Sequence, residues 1–93
     1  MPRTAKLTFE VTGDAAPAVA LTYTNREGAV ERCEATAPWA LAFPVACGRR
    51  IYLSAYNLGV GTLRVRVLVD GWVWQESEAT GQHHVVVVCG IVP

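Results

Sequence analysis

The stretch VDGWVWQ, residues 69–75, places an Asp-Gly pair between two runs of alternating apolar and polar residues. Asp-Gly is a strong hairpin signal, because a two-residue type I′ loop needs positive φ at both central positions. Closing the chain there pairs Val69 with Trp72, Val67 with Trp74, Val65 with Glu76 and Leu63 with Glu78. Trp72 and Trp74 then share the face of Val67 and Val69, with Arg64, Arg66, Leu68, Val73, Gln75 and Ser77 opposite. Two readings of the tryptophans compete, packing and a stacking platform for a ligand. The valine face predicts packing, since large aromatics carry much of the burial in a small domain.

Outward from this hairpin the same period-two alternation fills the chain, and turn signals recur about every 8 to 12 residues, the pattern of an antiparallel sandwich or barrel. Strands are expected at 6–12, 18–24, 29–35, 39–46, 49–57, 62–69, 72–79 and 83–92, in one domain covering residues 1–93. Side-chain alternation turns Leu7, Phe9 and Val11 inward, together with Trp39, Leu41, Phe43 and Val45, and Ile51, Leu53 and Ala55. Trp39, Phe43, Leu53, Val65 and Val67 are expected in the core. NREG, residues 25–28, reads as a type I turn with a glycine bulge, pairing Leu21 with Cys33 and Val19 with Ala35. A slip of one residue would bury Arg32 and Glu34, so the cost of burying charge selects the register.

The composition narrows the chemistry. Eight basic and eight acidic residues balance, and 52% of the chain is hydrophobic, so nothing favours nucleic acid or an anionic membrane as a partner. The longest apolar run, VVVVCGIV at residues 85–92, is far short of the roughly 18 to 20 residues of a membrane-spanning helix. The start, MPRTAK, lacks the apolar stretch of a signal peptide. A soluble chain is expected, extracytoplasmic if an anchor or targeting segment precedes it and cytoplasmic otherwise.

Neither a metal nor a cofactor is expected. His83 and His84 are strand neighbours and point to opposite faces, while His83 and Cys89 on one face are about 20 Å apart, and zinc ligands sit within about 2.3 Å of the ion. Cys33, Cys47 and Cys89 all fall on inward positions, which predicts buried, reduced thiols. Three cysteines exclude a complete disulfide framework, although a Cys33 to Cys47 bridge is conceivable. Ser54 and Ser77 lie mid-strand with no local nucleophile motif, and no glycine motif cradles a phosphate. Asp70 is accounted for by the turn, and Glu76 and Glu78 by a strand end. An enzyme is the least favoured class.

The exposed set open to a functional reading is Tyr52, Tyr56, Arg64 and Arg66, on the outer face of two successive strands. Tyr and Arg dominate interface hot spots, against the plainer reading of a solvated sheet face using aromatics for strand propensity. The last strand is apolar on both parities, so one side needs cover from the other sheet and the other from a loop or another chain, which makes a homodimer an expectation.

Six segments, LTFEVTG (7–13), LTYTNREG (21–28), APW (37–39), YLSAYN (52–57), GTLRVRVLVDG (61–71) and the closing apolar strand, resemble in order and spacing the soluble domain of the MmpS family of transport accessory proteins. The resemblance implies an immunoglobulin-like β-sandwich of seven to eight strands, held outside the cytoplasmic membrane by an N-terminal helix and assisting a membrane export pump for lipids or siderophores. The sequence departs from the pattern in lacking that helix. It also carries Val65 where family members often have a cysteine paired with one on the last strand, near Cys89 here. The expected function is thus a non-catalytic interaction or accessory module with a protein partner, the alternative being a small-ligand carrier.

Overall fold

A computed structural model describes residues 3–13, 18–59, 61–81 and 84–93. Eight strands follow in order: β1 (Thr4–Gly13), β2 (Ala18–Thr24), β3 (Val30–Thr36), β4 (Trp39–Ala46), β5 (Arg50–Asn57), β6 (Thr62–Val69), β7 (Trp72–Thr80) and β8 (Val85–Ile91). They form two four-stranded sheets, ordered β4-β1-β6-β7 and β3-β2-β5-β8, and every strand pair is antiparallel. The fold is the expected all-β sandwich. β1 and β2 lie in different sheets, whereas an immunoglobulin constant domain keeps its first two strands in one. The hairpins β2-β3 and β6-β7 stay within a sheet, and the other connections cross from one layer to the other.

The core lies between the layers, and side-chain alternation places it. Leu7, Phe9 and Val11 meet Leu63, Val65 and Val67 from one sheet, and Val19, Leu21, Ile51, Leu53, Ala55, Val86 and Val88 come from the other. Phe9 makes ring contacts with Tyr23 (6.0 Å between centroids) and Phe43 (5.7 Å). Trp39 is half-buried rather than enclosed, and leans on Tyr23 with centroids 5.5 Å apart.

Both hairpins close as their sequences dictate. Asp70 and Gly71 have φ of 52° and 86°, the pair of positive values a type I′ loop demands. Asp70 does more than turn the chain: its Oδ1 accepts from Lys6 N at 2.9 Å and its N donates to Lys6 O at 2.9 Å, pinning the hairpin tip to β1. At the other hairpin Asn25 Oδ1 accepts from Glu27 N and Ala29 N, at 3.0 and 2.9 Å, and Gly28 takes φ of 87°. The register runs Leu21 to Cys33 and Val19 to Ala35, as the burial argument selects.

The register of the Asp-Gly hairpin departs from expectation beyond its first pair. A β-bulge near Trp74 inserts one extra residue into β7, so that Leu68 faces Val73, Val67 faces Gln75, Val65 faces Ser77 and Leu63 faces Ala79. The reason is electrostatic. An unbulged ladder would set Glu76 and Glu78 against Val65 and Leu63, which are fully buried, and bury two carboxylates without partners. With the bulge, Glu76 and Glu78 turn outward beside Arg66 and Arg64.

Candidate functional site

The bulge also separates the two tryptophans. Trp74 packs against the core, across Gly90 of β8, where a β-carbon would come within 3.0 Å of its ring. Gly90 therefore makes room for the indole that closes this side of the sandwich. Trp72 stands opposite Val69 and is 80% exposed, which corrects the expectation that both tryptophans pack.

Two outer faces of opposite character result. On the β4-β1-β6-β7 sheet the charges form a ladder. Arg64 donates from Nε and Nη2 to Glu78 Oε2 at 3.1 and 2.9 Å. Arg66 Nε lies 2.9 Å from Glu76 Oε2, and its Nη1 lies 3.9 Å from Glu10 Oε1. An open groove over Thr12, Gly13, Thr62, Arg64 and Glu78 runs along one end of this ladder. A second, more apolar groove lies over Ala5, Lys6, Ala42, Phe43 and Pro44 at the β4 edge. Both are open to solvent.

The outer face of the β3-β2-β5-β8 sheet is different. Its cross-strand rows read Glu34-Ala20-Tyr56-Val85 and Arg32-Thr22-Ser54-Val87. The next is Val30-Thr24, then Tyr52-Cys89, with Tyr52 N donating to Thr24 Oγ1 at 3.1 Å in place of the missing ladder bond. Charge is confined to the β3 side and to Arg50 beside Ile91. Apart from Arg50, the surface from β2 to β8 is apolar or hydroxyl-bearing, with Val85, Val87 and Ile91 about half exposed and Tyr52 38% exposed.

The four residues singled out from the sequence are therefore not brought together. Tyr52 and Tyr56 lie on the outer face of one sheet and Arg64 and Arg66 on the outer face of the other, because the connection between β5 and β6 crosses the sandwich. The arginines are engaged by glutamates of their own chain. The stripe that sequence reasoning missed is Val85, Val87, Cys89 and Ile91. The inward side of β8 is the even one, Val86 and Val88, where the odd one was expected. The His83 position lies outside the described residues.

The cysteines also differ from expectation. All three are free, with Cys33 and Cys89 exposed and Cys47 half-buried. Cys89 belongs to the outward parity of β8. Cys33 does face the inner side of β3, opposite Leu21, but β3 overhangs the opposing sheet and only Ala35 of it is half-buried. Val65 lies in the core of one sheet and Cys89 on the outer face of the other, so the pairing implied by the MmpS resemblance has no counterpart here. In the overhang, partial burial and then the Glu31 carboxylate push the Cys33 thiol up from its ordinary value. Burial first, and then a hydrogen bond to Glu31, raise Tyr23 in the same way.

Site-resolved alkylation of the native protein should accordingly modify Cys89 and Cys33 without denaturant. The Cys33 rate should climb at higher pH than that of an ordinary thiol, because the thiolate is the nucleophile and its formation is disfavoured there. Glu31→Gln should move that climb to lower pH, and an unmoved profile would remove Glu31 as a cause.

Among the described residues, no helix is long and apolar enough to cross a membrane. No protein-family model and no curated protein matches this chain.

Proposed function

We propose that the protein is a non-catalytic interaction module that docks on a protein of a membrane export system, the accessory role implied by its MmpS-like segments, through the outer face of the β3-β2-β5-β8 sheet. The observation that carries this reading is the contrast between the two faces. One presents arginines and glutamates that form ion pairs with each other. The other presents Tyr52 beside an exposed apolar row, and Arg50 at one end is the only charge on β2, β5 and β8 among the described residues. Apolar surface rimmed by polar residues is what protein partners bury, and tyrosine is a preferred anchor there. Carriage of a small ligand would call for a concave, mostly apolar pocket, whereas both grooves described above are open.

Photo-crosslinking tests the reading. A photoreactive phenylalanine in place of Tyr52 should form an adduct, in the native cell, with a membrane export protein identified by mass spectrometry. The same residue in place of Thr8, on the opposite face, should not. Adducts from Thr8 alone, equal adducts from both positions, or no export protein among the Tyr52 adducts would overturn it.

A further inference from the structure

Four strands end the two sheets, and three of them carry what keeps edges from pairing with other chains. β4 contains Pro44, β3 contains Glu31, Arg32 and Glu34, and β7 contains Glu76 and Glu78. Proline and charge on edge strands are the usual protection against edge-to-edge association. β8, VVVVCGI, has neither.

Its backbone is poised accordingly. Asn57 N donates to His84 O and Val92 N to Arg49 O, each at 2.9 Å. With the register from Arg50-Ile91 to Tyr56-Val85, these bonds put the even-numbered residues of β8 in phase with β5. Alternate residues of a strand turn their N–H and C=O groups to opposite neighbours. Val85, Val87, Cys89 and Ile91 therefore direct theirs to the side where β8 has no neighbouring strand among the described residues.

We infer that a second copy of this chain pairs on that edge, β8 against β8, antiparallel about a two-fold axis at Val88. Centring there sets Val85 opposite Ile91 of the second copy and Val87 opposite Cys89 of the second copy. This register uses the edge-facing N–H and C=O of all four residues, in about eight hydrogen bonds. The strand is self-complementary because it is uncharged, and the pairing consumes the one unprotected edge that the described residues of each copy present, so assembly closes at two. Seven residues span about 24 Å at strand rise, and the molecule is 17 Å across its thin axis. The contact then covers on the order of 400 Å² per partner, below the roughly 800 Å² of a standard stable interface. The dimer is reversible, with a dissociation constant on the order of 10 to 100 μM. Pairing uses the edge and leaves Tyr52 on the outer face, so it is independent of the proposed function.

Sedimentation equilibrium from about 5 μM to about 1 mM, a range spanning that constant, should show wild type passing from monomer to dimer. Val87→Pro removes an N–H that β5 does not use, as edge strands tolerate, and should raise the dissociation constant at least about tenfold. Should Val87→Pro lose the native far-UV spectrum, Cys89→Lys is read in its place, with the same expectation. Tyr52→Ala should dimerise as wild type does. In a Cys33→Ser, Cys47→Ser background, a short bismaleimide should join the two Cys89 thiols, diagonal neighbours about 7 to 8 Å apart across the new pair. A wild type that stays monomeric throughout, or a dimer that persists at wild-type strength in the folded edge variant, would overturn the inference, whatever Tyr52 crosslinks to.

Discussion

Replacing Phe9 by alanine is expected to lower the stability of the domain by about 3 to 5 kcal/mol, the range for deleting a buried aromatic ring. Phe9 is fully enclosed at the middle of β1, between Leu41 of β4 and Val67 of β6. It is also where the two layers are joined by rings, with Phe43 on its own sheet and Tyr23 on the other. Removing it withdraws apolar area from the core and leaves a cavity beside Tyr23 and Phe43. Domains of this size have total stabilities of roughly 5 to 14 kcal/mol, so the loss removes between about a fifth and all of it. Denaturant titration is the measurement, with an unchanged slope showing that the midpoint reports stability. A loss below about 1 kcal/mol would place Phe9 outside the packed interior.

Phe9 was legible in the sequence for a simple reason: with polar Thr8 and Glu10 on either side of it, alternation leaves one choice of inward face. The same logic placed Leu53, Val65 and Val67, all fully buried. It failed on β8, where residues 85–89 are apolar on both parities and alternation carries no information. There the face is set by Gly90, the inward residue whose missing side chain admits Trp74. The β7 register was recoverable, because the cost of buried charge that selected the Asn25 turn register also forbids Glu76 and Glu78 on the valine face. The exposure of Cys33 was not. Its face is the expected one, but whether the opposing sheet reaches far enough to cover it depends on how the two layers are offset. The grouping of Tyr52, Tyr56, Arg64 and Arg66 failed for a related reason. Adjacency along the chain does not reveal that β5 and β6 lie in different layers.

The end of β5, where the chain leaves its sheet, carries the second large effect, at Asn57. This side chain is 1% exposed and ties the end of β5 to two loops. Its Nδ2 donates to Gly61 O at 3.2 Å and Gly81 O at 3.3 Å, and its Oδ1 accepts from Gly59 N at 2.9 Å. Asn57→Leu keeps the burial but strips Gly59 N and Gly81 O of this partner, and should cost about 2 to 6 kcal/mol at about 1 to 3 per orphaned group. Asn57→Asp keeps the shape and the bond from Gly59, yet sets a carboxylate oxygen against two carbonyl oxygens. At neutral pH that is a buried charge without a counter-ion, expected to cost about 3 to 5 kcal/mol. The two variants differ in how they respond to acid. Burial favours the protonated aspartic acid in the folded state, so the native form binds more protons than the unfolded one, and the deficit of Asn57→Asp relative to wild type should shrink as pH falls from 7 towards 4. The deficit of Asn57→Leu, which adds no titrating group, should stay constant. Parallel denaturation series at both pH values measure this. An Asn57→Asp deficit that does not move with pH would mean that the introduced carboxylate reaches water, and that the amide does not sit sealed between the two loops.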